Sequence, residues 1–417
     1  MRVAVVAVGD ELLLGDVVNR NLSWLGGALA DAGLDLVRGF EVGDDVPAML
    51  DVLGSALQVA DAVVVTGGLG PTSDDRTRQA LAALAGVGLH RDPELVRGLE
   101  HWYADRGRPM PPAVAVQGDR PEGARTIPNT LGTAPGLVLE VGGRPVYAVP
   151  GVPAEMRPMV QAAVVPELRV LAGLPVAVRT EQLRVAAAGE SLVAQRLEPV
   201  EADLPDGVRL SYLASPGEVR VRFTGTDPDL LARVRDRAAA LLGAAVSGRD
   251  EETLAATVLR LLVERSTTVA VAESLTGGLL ASALIDVPGS SAALRGGVVA
   301  YVPALKTQLL GVPADLLDRE GAVHPQVALQ MAMGVRDRLG SGWGVATTGV
   351  AGPDAQDGHE PGAVFVAVAG EPERDGTVVG LRLRGDRPTV RALTVVNALD
   401  LLRRRVLGLP PGGEQPW

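Results

Sequence analysis

The chain contains no cysteine, four histidines and, among its 39 Lys and Arg residues, a single lysine. The first absence excludes disulfides, thiolate metal sites and a cysteine nucleophile. The second leaves only His90, His101, His324 and His359 as imidazole bases. The third singles out Lys306. Arginine stays protonated, whereas a desolvated lysine can lose its proton and act as a base. No charge-free apolar stretch is long enough to cross a bilayer. Residues 1–6 read as a first strand running into Gly9-Asp10-Glu11, not as a signal peptide. The expectation is a cytoplasmic protein without membrane attachment. Basic patches are lacking too: the formal net charge is -11. The one basic run, Arg403, Arg404 and Arg405, falls near a helix end, where cations are favoured anyway. Duplex binding needs Lys and Arg facing phosphates, so nucleic acid is disfavoured as a partner. Small anions held by loops and helix N-termini stay open.

What is present is a packed, multi-domain composition: 417 residues, 47% hydrophobic and 21% charged, too long for one ordinary core. Strands at 3–8, 34–41 and 62–66 alternate with helices at 17–32 and 46–59. Further strands follow at 136–141 and 145–149, and the pattern predicts an α/β domain on a parallel sheet, residues 1–172. Residues 173–247 read as a small α+β unit with a hairpin at Ser215-Pro216-Gly217, suited to a spacer or dimerisation role. Residues 250–417 read as a second α/β domain. It has helices at 251–265, 324–339 and 388–407 and strands at 268–272, 297–301, 344–348, 363–369 and 378–383.

Ligands of such sheets bind where strands end at their carboxyl side. In the first domain the loop Gly67-Gly68-Leu69-Gly70-Pro71-Thr72-Ser73-Asp74-Asp75 stands there. Glycines at 67, 68 and 70 let backbone N–H groups approach a phosphate. Thr72 and Ser73 can cap the next helix and bind phosphate oxygens. Asp74 and Asp75 offer hard oxygen ligands for Mg²⁺ or a similar divalent ion, with Glu11 and Glu155 available to complete the set. The competing explanation is a glycine turn followed by a helix start whose dipole favours acids.

In the last domain, Glu273-Ser274-Leu275-Thr276-Gly277-Gly278 links a strand to a helix. It presents Ser274 and Thr276 as anion donors or plain N-caps. Pro288-Gly289-Ser290-Ser291 is a second serine-bearing turn, followed by Tyr301 and Lys306. No histidine accompanies these hydroxyls, so a serine with Lys306 as base and Tyr301 assisting is the available nucleophile chemistry. The small-residue loop containing Thr348 and Gly349 can form an oxyanion or phosphate nest, and Arg387 can pair with phosphate.

The stretches TGGLGPTSDD, GDELLLGDVVNRN, NTLGTAPG and PGVPAEM resemble the molybdopterin-binding-like domain of the competence/damage-inducible CinA proteins. AESLTGG, DVPGSSA, the Tyr301–Lys306 stretch, TTGVAGP and GDR resemble the family's carboxy-terminal domain. The resemblance implies a doubly wound α/β first domain. That domain would bind a pterin-like phosphate ligand, or hydrolyse ADP-ribose to AMP and ribose 5-phosphate with Mg²⁺ or Co²⁺ on Asp74, Asp75 and Glu11; hydrolysis is the preferred expectation. For the last domain it implies nicotinamide-nucleotide amidase activity without a cofactor, converting NMN to nicotinic acid mononucleotide and ammonia. Ser274, Ser291, Tyr301, Lys306, Thr348 and Arg387 match the family's active site there. Which serine attacks stays open, with Ser291 favoured if Ser274 serves as the phosphate-side cap. A homodimer is expected. Two positions depart from the usual pattern: Leu275 replaces Cys and is expected to pack, and His324 replaces Ser as a helix cap away from the chemistry. The rival expectations are a pterin- or nucleotide-binding module without turnover, and an interaction protein of DNA uptake.

Overall fold

The computed structural model describes residues 1–174, 178–370 and 376–412. They form two compact units, Met1–Arg179 and Thr180–Trp417.

The first unit is built on β1 (Arg2–Val8), β2 (Asp35–Val42), β3 (Ala62–Thr66), β4 (Leu89–Arg91), β5 (Asp119–Pro121), β6 (Arg125–Ile127), β7 (Gly136–Val141) and β8 (Arg144–Val149). The main sheet runs in the order β2-β1-β3-β8-β7-β6. Its centre is apolar on both faces, as a doubly covered sheet requires. Val3, Val5 and Val64 pack against Leu25, Leu29, Met156 and Leu168 on one side. Ala4, Val6, Val63 and Val65 pack against Met49, Leu53 and Leu81 on the other. The helix Val46–Val59 starts where Asp45 accepts a hydrogen bond from Ala48 N (3.0 Å) with Pro47 in its first turn, a cap that needs no tertiary help.

The parallel sheet expected from the sequence is correct for β2, β1, β3 and β8 only. β7 is antiparallel to β8 and β6. The cause is local: Gly142 and Gly143, both at positive φ (57° and 76°), close a two-residue hairpin between β7 and β8. That geometry admits no parallel crossover.

The second unit carries two sheets. β9 (Arg179–Ala186), β10 (Arg209–Ser215), β11 (Glu218–Gly225) and β12 (Val246–Arg249) form one, in the order β10-β11-β9-β12. It is covered by helices Glu190–Glu201 and Pro228–Leu242, whose Val193, Leu197, Leu231 and Ala238 share a core with Val185, Val221 and Phe223. β13 (Val269–Glu273), β14 (Leu294–Val299), β15 (Trp343–Gly349), β16 (Ala363–Ala369) and β17 (Gly376–Arg382) form the other, in the order β14-β13-β15-β16-β17. β14, β13 and β15 are parallel, while β16 and β17 return antiparallel. Val269 and Val271 face the helices Leu254–Glu264 and Arg387–Leu407, and Ala270 and Ala272 face Pro325–Leu339.

Arg403 ties the helix Arg387–Leu407 to β12 and the turn before it. It is 3% exposed, pairs with the buried Asp400 at 2.6 Å, and donates to the carbonyls of Val246 and Ala244. The basic run at the chain's end is therefore partly a structural staple. No helix of the described residues is long and apolar enough to cross a membrane.

Candidate functional site

In the second unit, β13 ends at Glu273 and the chain turns directly into the serine loop. Glu273 is buried and its carboxylate accepts hydrogen bonds from Gly278 N (3.0 Å), Leu280 N (3.0 Å) and Ala281 N (2.8 Å). An anion at a helix start satisfies donors that the helix leaves free. It anchors the 274–278 loop at its base. Arg391 holds the loop from outside, donating to the carbonyls of Leu275 (2.9 Å) and Thr276 (2.8 Å). The sequence reading gave no role to either residue. A carboxylate closing a strand one position before a Ser-x-Thr-Gly-Gly turn is the signal that marked Glu273.

Lys306 has no exposed surface. Its Nζ donates to Ser274 Oγ at 3.0 Å and to the carbonyl of Ala300 at 2.6 Å. Burial pulls its pKa down to about 8, against a smaller opposite pull from Asp357. Desolvation disfavours the ammonium form, so the one lysine of the chain carries a proton loosely at neutral pH.

Ser274 opens onto a cavity of about 220 Å³, lined also by Leu275, Tyr301, Thr348, Gly349 and Arg387. Arg387 donates to Tyr301 Oη (2.9 Å) and to the carbonyl of Gly352 (2.7 Å). Tyr301 is 56% exposed, so it forms a rim and not a core contact. Thr348 spends its hydroxyl proton on the carbonyl of Ala322 (2.7 Å) and thereby fixes the Ala322–Val323 wall. Asp357 fixes the same wall by accepting from Ala322 N (2.6 Å) and Val323 N (3.1 Å).

Three expected residues stand elsewhere. Ser291 lies exposed on the short turn Ser290–Ala292 and does not line the cavity. The hydroxyl that meets Lys306 is that of Ser274. Thr276 is fully buried and its hydroxyl shares a hydrogen bond with Thr347 (2.8 Å), so it braces the loop and does not face a ligand. Gly277 is also absent from the lining. Leu275 packs in the core as expected. His324 does cap its helix, Nδ1 accepting from Gln326 N at 3.2 Å. Its neighbour Val323 lines the cavity, so the position is close to the site and not remote from it.

In the first unit a larger cavity, about 930 Å³, opens at the carboxyl ends of β1 and β3. Glu11, Gly67, Gly68, Gly70, Asp74, Asp75 and Glu155 all line it; Thr72 and Ser73 do not. Gly67 sits at φ 109°, and a Cβ there would strike the carbonyl oxygen of Val8. Asp75 turns inward: its carboxylate accepts from Gly70 N (2.7 Å), Thr72 N (2.9 Å) and the Thr72 hydroxyl. Arg78, 1% exposed, holds the same loop through the carbonyls of Leu69 (2.5 Å) and Gly70 (3.2 Å). Burial lowers its pKa to about 10. Neither residue's clamp was foreseen for this loop. Asp44 also lines the cavity, and burial, with the carboxylates of Asp10, Glu11 and Asp74 adding to it, pushes its pKa up.

The expected metal set does not fit this arrangement. Both oxygens of Asp75 are engaged by its own loop. Among the described residues no three His, Asp or Glu side chains are gathered closely enough to hold an ion.

The two units thus define a class: a chain pairing a molybdopterin-binding-type sheet with an α/β domain that carries a buried Ser–Lys pair. The family described as "Probable molybdopterin binding domain" matches residues 4–170, and "CinA C-terminal domain" matches residues 251–406. The chain belongs to the CinA family. A CinA-like protein of Frankia casuarinae is 48% identical over 98% of this chain and 97% of its own length. A putative competence-damage inducible protein of Symbiobacterium thermophilum is 41% identical over 97% and 98%. The crystal structure of the protein CinA from Thermoplasma acidophilum is 37% identical, covering 39% of this chain and 94% of that one with a TM-score of 0.36.

Proposed function

We propose that the second unit is a hydrolase of the carboxamide of nicotinamide mononucleotide, with Ser274 as nucleophile and Lys306 as base. The observation that carries this reading is the fully buried amine 3.0 Å from a cavity-lining hydroxyl. Neutral Lys306 takes the Ser274 proton as Oγ attacks the amide carbon. The Leu275 N–H makes no hydrogen bond among the described residues and lines the cavity beside Ser274, where it can receive the developing oxyanion. The Lys306 ammonium then returns the proton to the leaving nitrogen, which departs as ammonia. Water opens the acyl-serine and leaves the nucleotide acid. Arg387 supplies a fixed cation at the mouth for the ribose phosphate, with Tyr301 holding its guanidinium.

Ammonia release from NMN tests the reading. Lys306→Arg and Ser274→Ala should each lose about 10²-fold or more, the range for a lost general base or nucleophile. Full turnover in either variant rules the pair out.

For the first unit we propose binding of a phosphate-bearing nucleotide or pterin in the 930 Å³ cavity, with the glycine loop as its floor. The clamp of Asp75 and Arg78 supports a rigid, pre-formed loop. Calorimetric titration with ADP-ribose, with and without Mg²⁺ or Co²⁺, tests it. Binding without AMP formation under either metal fits the binding module, and AMP formation would establish the hydrolase. No heat of binding overturns the proposal.

A further inference from the structure

A second cavity of the Thr180–Trp417 unit takes no part in the amide chemistry. It measures about 650 Å³ and shares no lining residue with the serine–lysine cavity. One wall is the loop Ala186, Ala187, Ala188, Gly189 and the first turns of the helix Glu190–Glu201; the other is the helix Arg387–Leu407 through Asn397 and Arg404. That volume lies in the range of about 300–1,000 Å³ typical of small-molecule sites.

The charge of its lining runs against the rest of the molecule. The chain has 50 acidic residues against 39 basic ones, yet among the described residues the charged side chains lining this cavity are those of Arg196 and Arg404. Arg404 is 12% exposed and held in place by Asp400 at 2.6 Å, which fixes its guanidinium at the wall. Arg196, Gln195 and Ser191 are exposed, and their side chains make no hydrogen bond or ion pair among the described residues. Asn397 donates to the Leu393 carbonyl at 2.8 Å, and its side-chain oxygen has no partner among the described residues. The rest of the lining is small, with Ala186, Ala188, Gly189, Ala244 and Ala245 bringing little side chain into the cavity.

We propose that this cavity is a second small-molecule site, for a phosphate-bearing anion of mononucleotide size. The phosphate pairs with Arg196 and Arg404, and Gln195 and Asn397 meet the polar edge of the attached group. Planar guanidinium groups are the side chains best matched to phosphate oxygens. Arg196 is unpaired among the described residues, and Asp400 offsets only one of Arg403 and Arg404, so this wall keeps a net positive charge that the acidic remainder of the surface lacks.

The absence of cysteine makes the test site-specific. Ser191→Cys in the full chain places the only thiol at the cavity wall, and its reaction with a chromogenic aromatic disulfide reports access to this cavity. AMP and inorganic phosphate are the probes. At ten times its dissociation constant, AMP should slow labelling by about tenfold, since the free fraction falls by mass action. Adding Arg196→Ala should abolish the protection, with circular dichroism confirming the fold. Protection by phosphate alone, at higher concentration and with the same dependence on Arg196, also supports the anion site. Labelling unaffected by either probe overturns the proposal, as does protection that survives Arg196→Ala. The assay needs no turnover, so its outcome is independent of the amidase reading.

Discussion

An amine without solvent contact is costly to keep charged, even with two oxygens at 3.0 and 2.6 Å to accept its protons. Lys306 therefore has a pKa of about 8. The base form is the neutral one, so activity is lost as the pH falls below that value. The kcat/KM for NMN should rise with pH through a midpoint near 8, and a profile flat from pH 6 to 9 would contradict the assignment. Ser291→Ala should keep turnover within about twofold, because an exposed residue outside the cavity has no transition-state contact to lose. Lys306 was legible as a candidate from composition, one lysine among 39 basic residues, together with its neighbours Ser274, Ser291 and Tyr301. The choice between Ser274 and Ser291 was not, because both follow strand-and-turn patterns and only the fold shows which one meets the amine. The loop contacts of Asp75 were not legible for a similar reason. Its carboxylate looks like a ligand in the sequence, but it curls back onto the N–H groups of Gly70 and Thr72.

At the scale of elements, the serine loop depends on Glu273. Its carboxylate serves three backbone N–H groups at the start of Leu279–Ile285. Glu273→Gln keeps the shape but removes the charge and one acceptor oxygen. Leaving a buried donor unmet costs about 1–3 kcal/mol, so thermal denaturation should show a lowered Tm and NMN turnover should fall with it. An unchanged Tm would show the anchor to be dispensable. Elements whose ends carry their own signals were legible: Val46–Val59 was read with its observed limits because Asp45 and Pro47 mark its start. The helix Pro93–Ala104 was not read, although Asp92 and Pro93 mark its start in the same way; it buries only Leu99. The antiparallel return at β7 was missed because periodicity reports strands and not their direction.

For the whole molecule, the compact units meet the chain at Arg179 and Thr180. A cut near residue 250 severs β12 from the second unit and removes the carbonyls of Val246 and Ala244 from Arg403. A 180–417 fragment should fold and release ammonia from NMN at the rate of the full chain, and a 250–417 fragment should be less stable by about 1–3 kcal/mol for the unmet buried cation bonds. Denaturation of the two fragments side by side checks this, and equal stability would contradict it. The α/β class was readable from strand and helix alternation. The tie between 180–249 and the last helix was not, because it rests on one arginine inside a run that reads as a solvated helix end.

The most direct test of the serine–lysine account is to quench the full chain during NMN turnover, digest it and locate any acyl adduct by mass spectrometry. The account predicts a nucleotide acyl ester on the peptide bearing Ser274, absent in Lys306→Arg. An adduct on Ser291, or one that forms unchanged without the lysine, would contradict it.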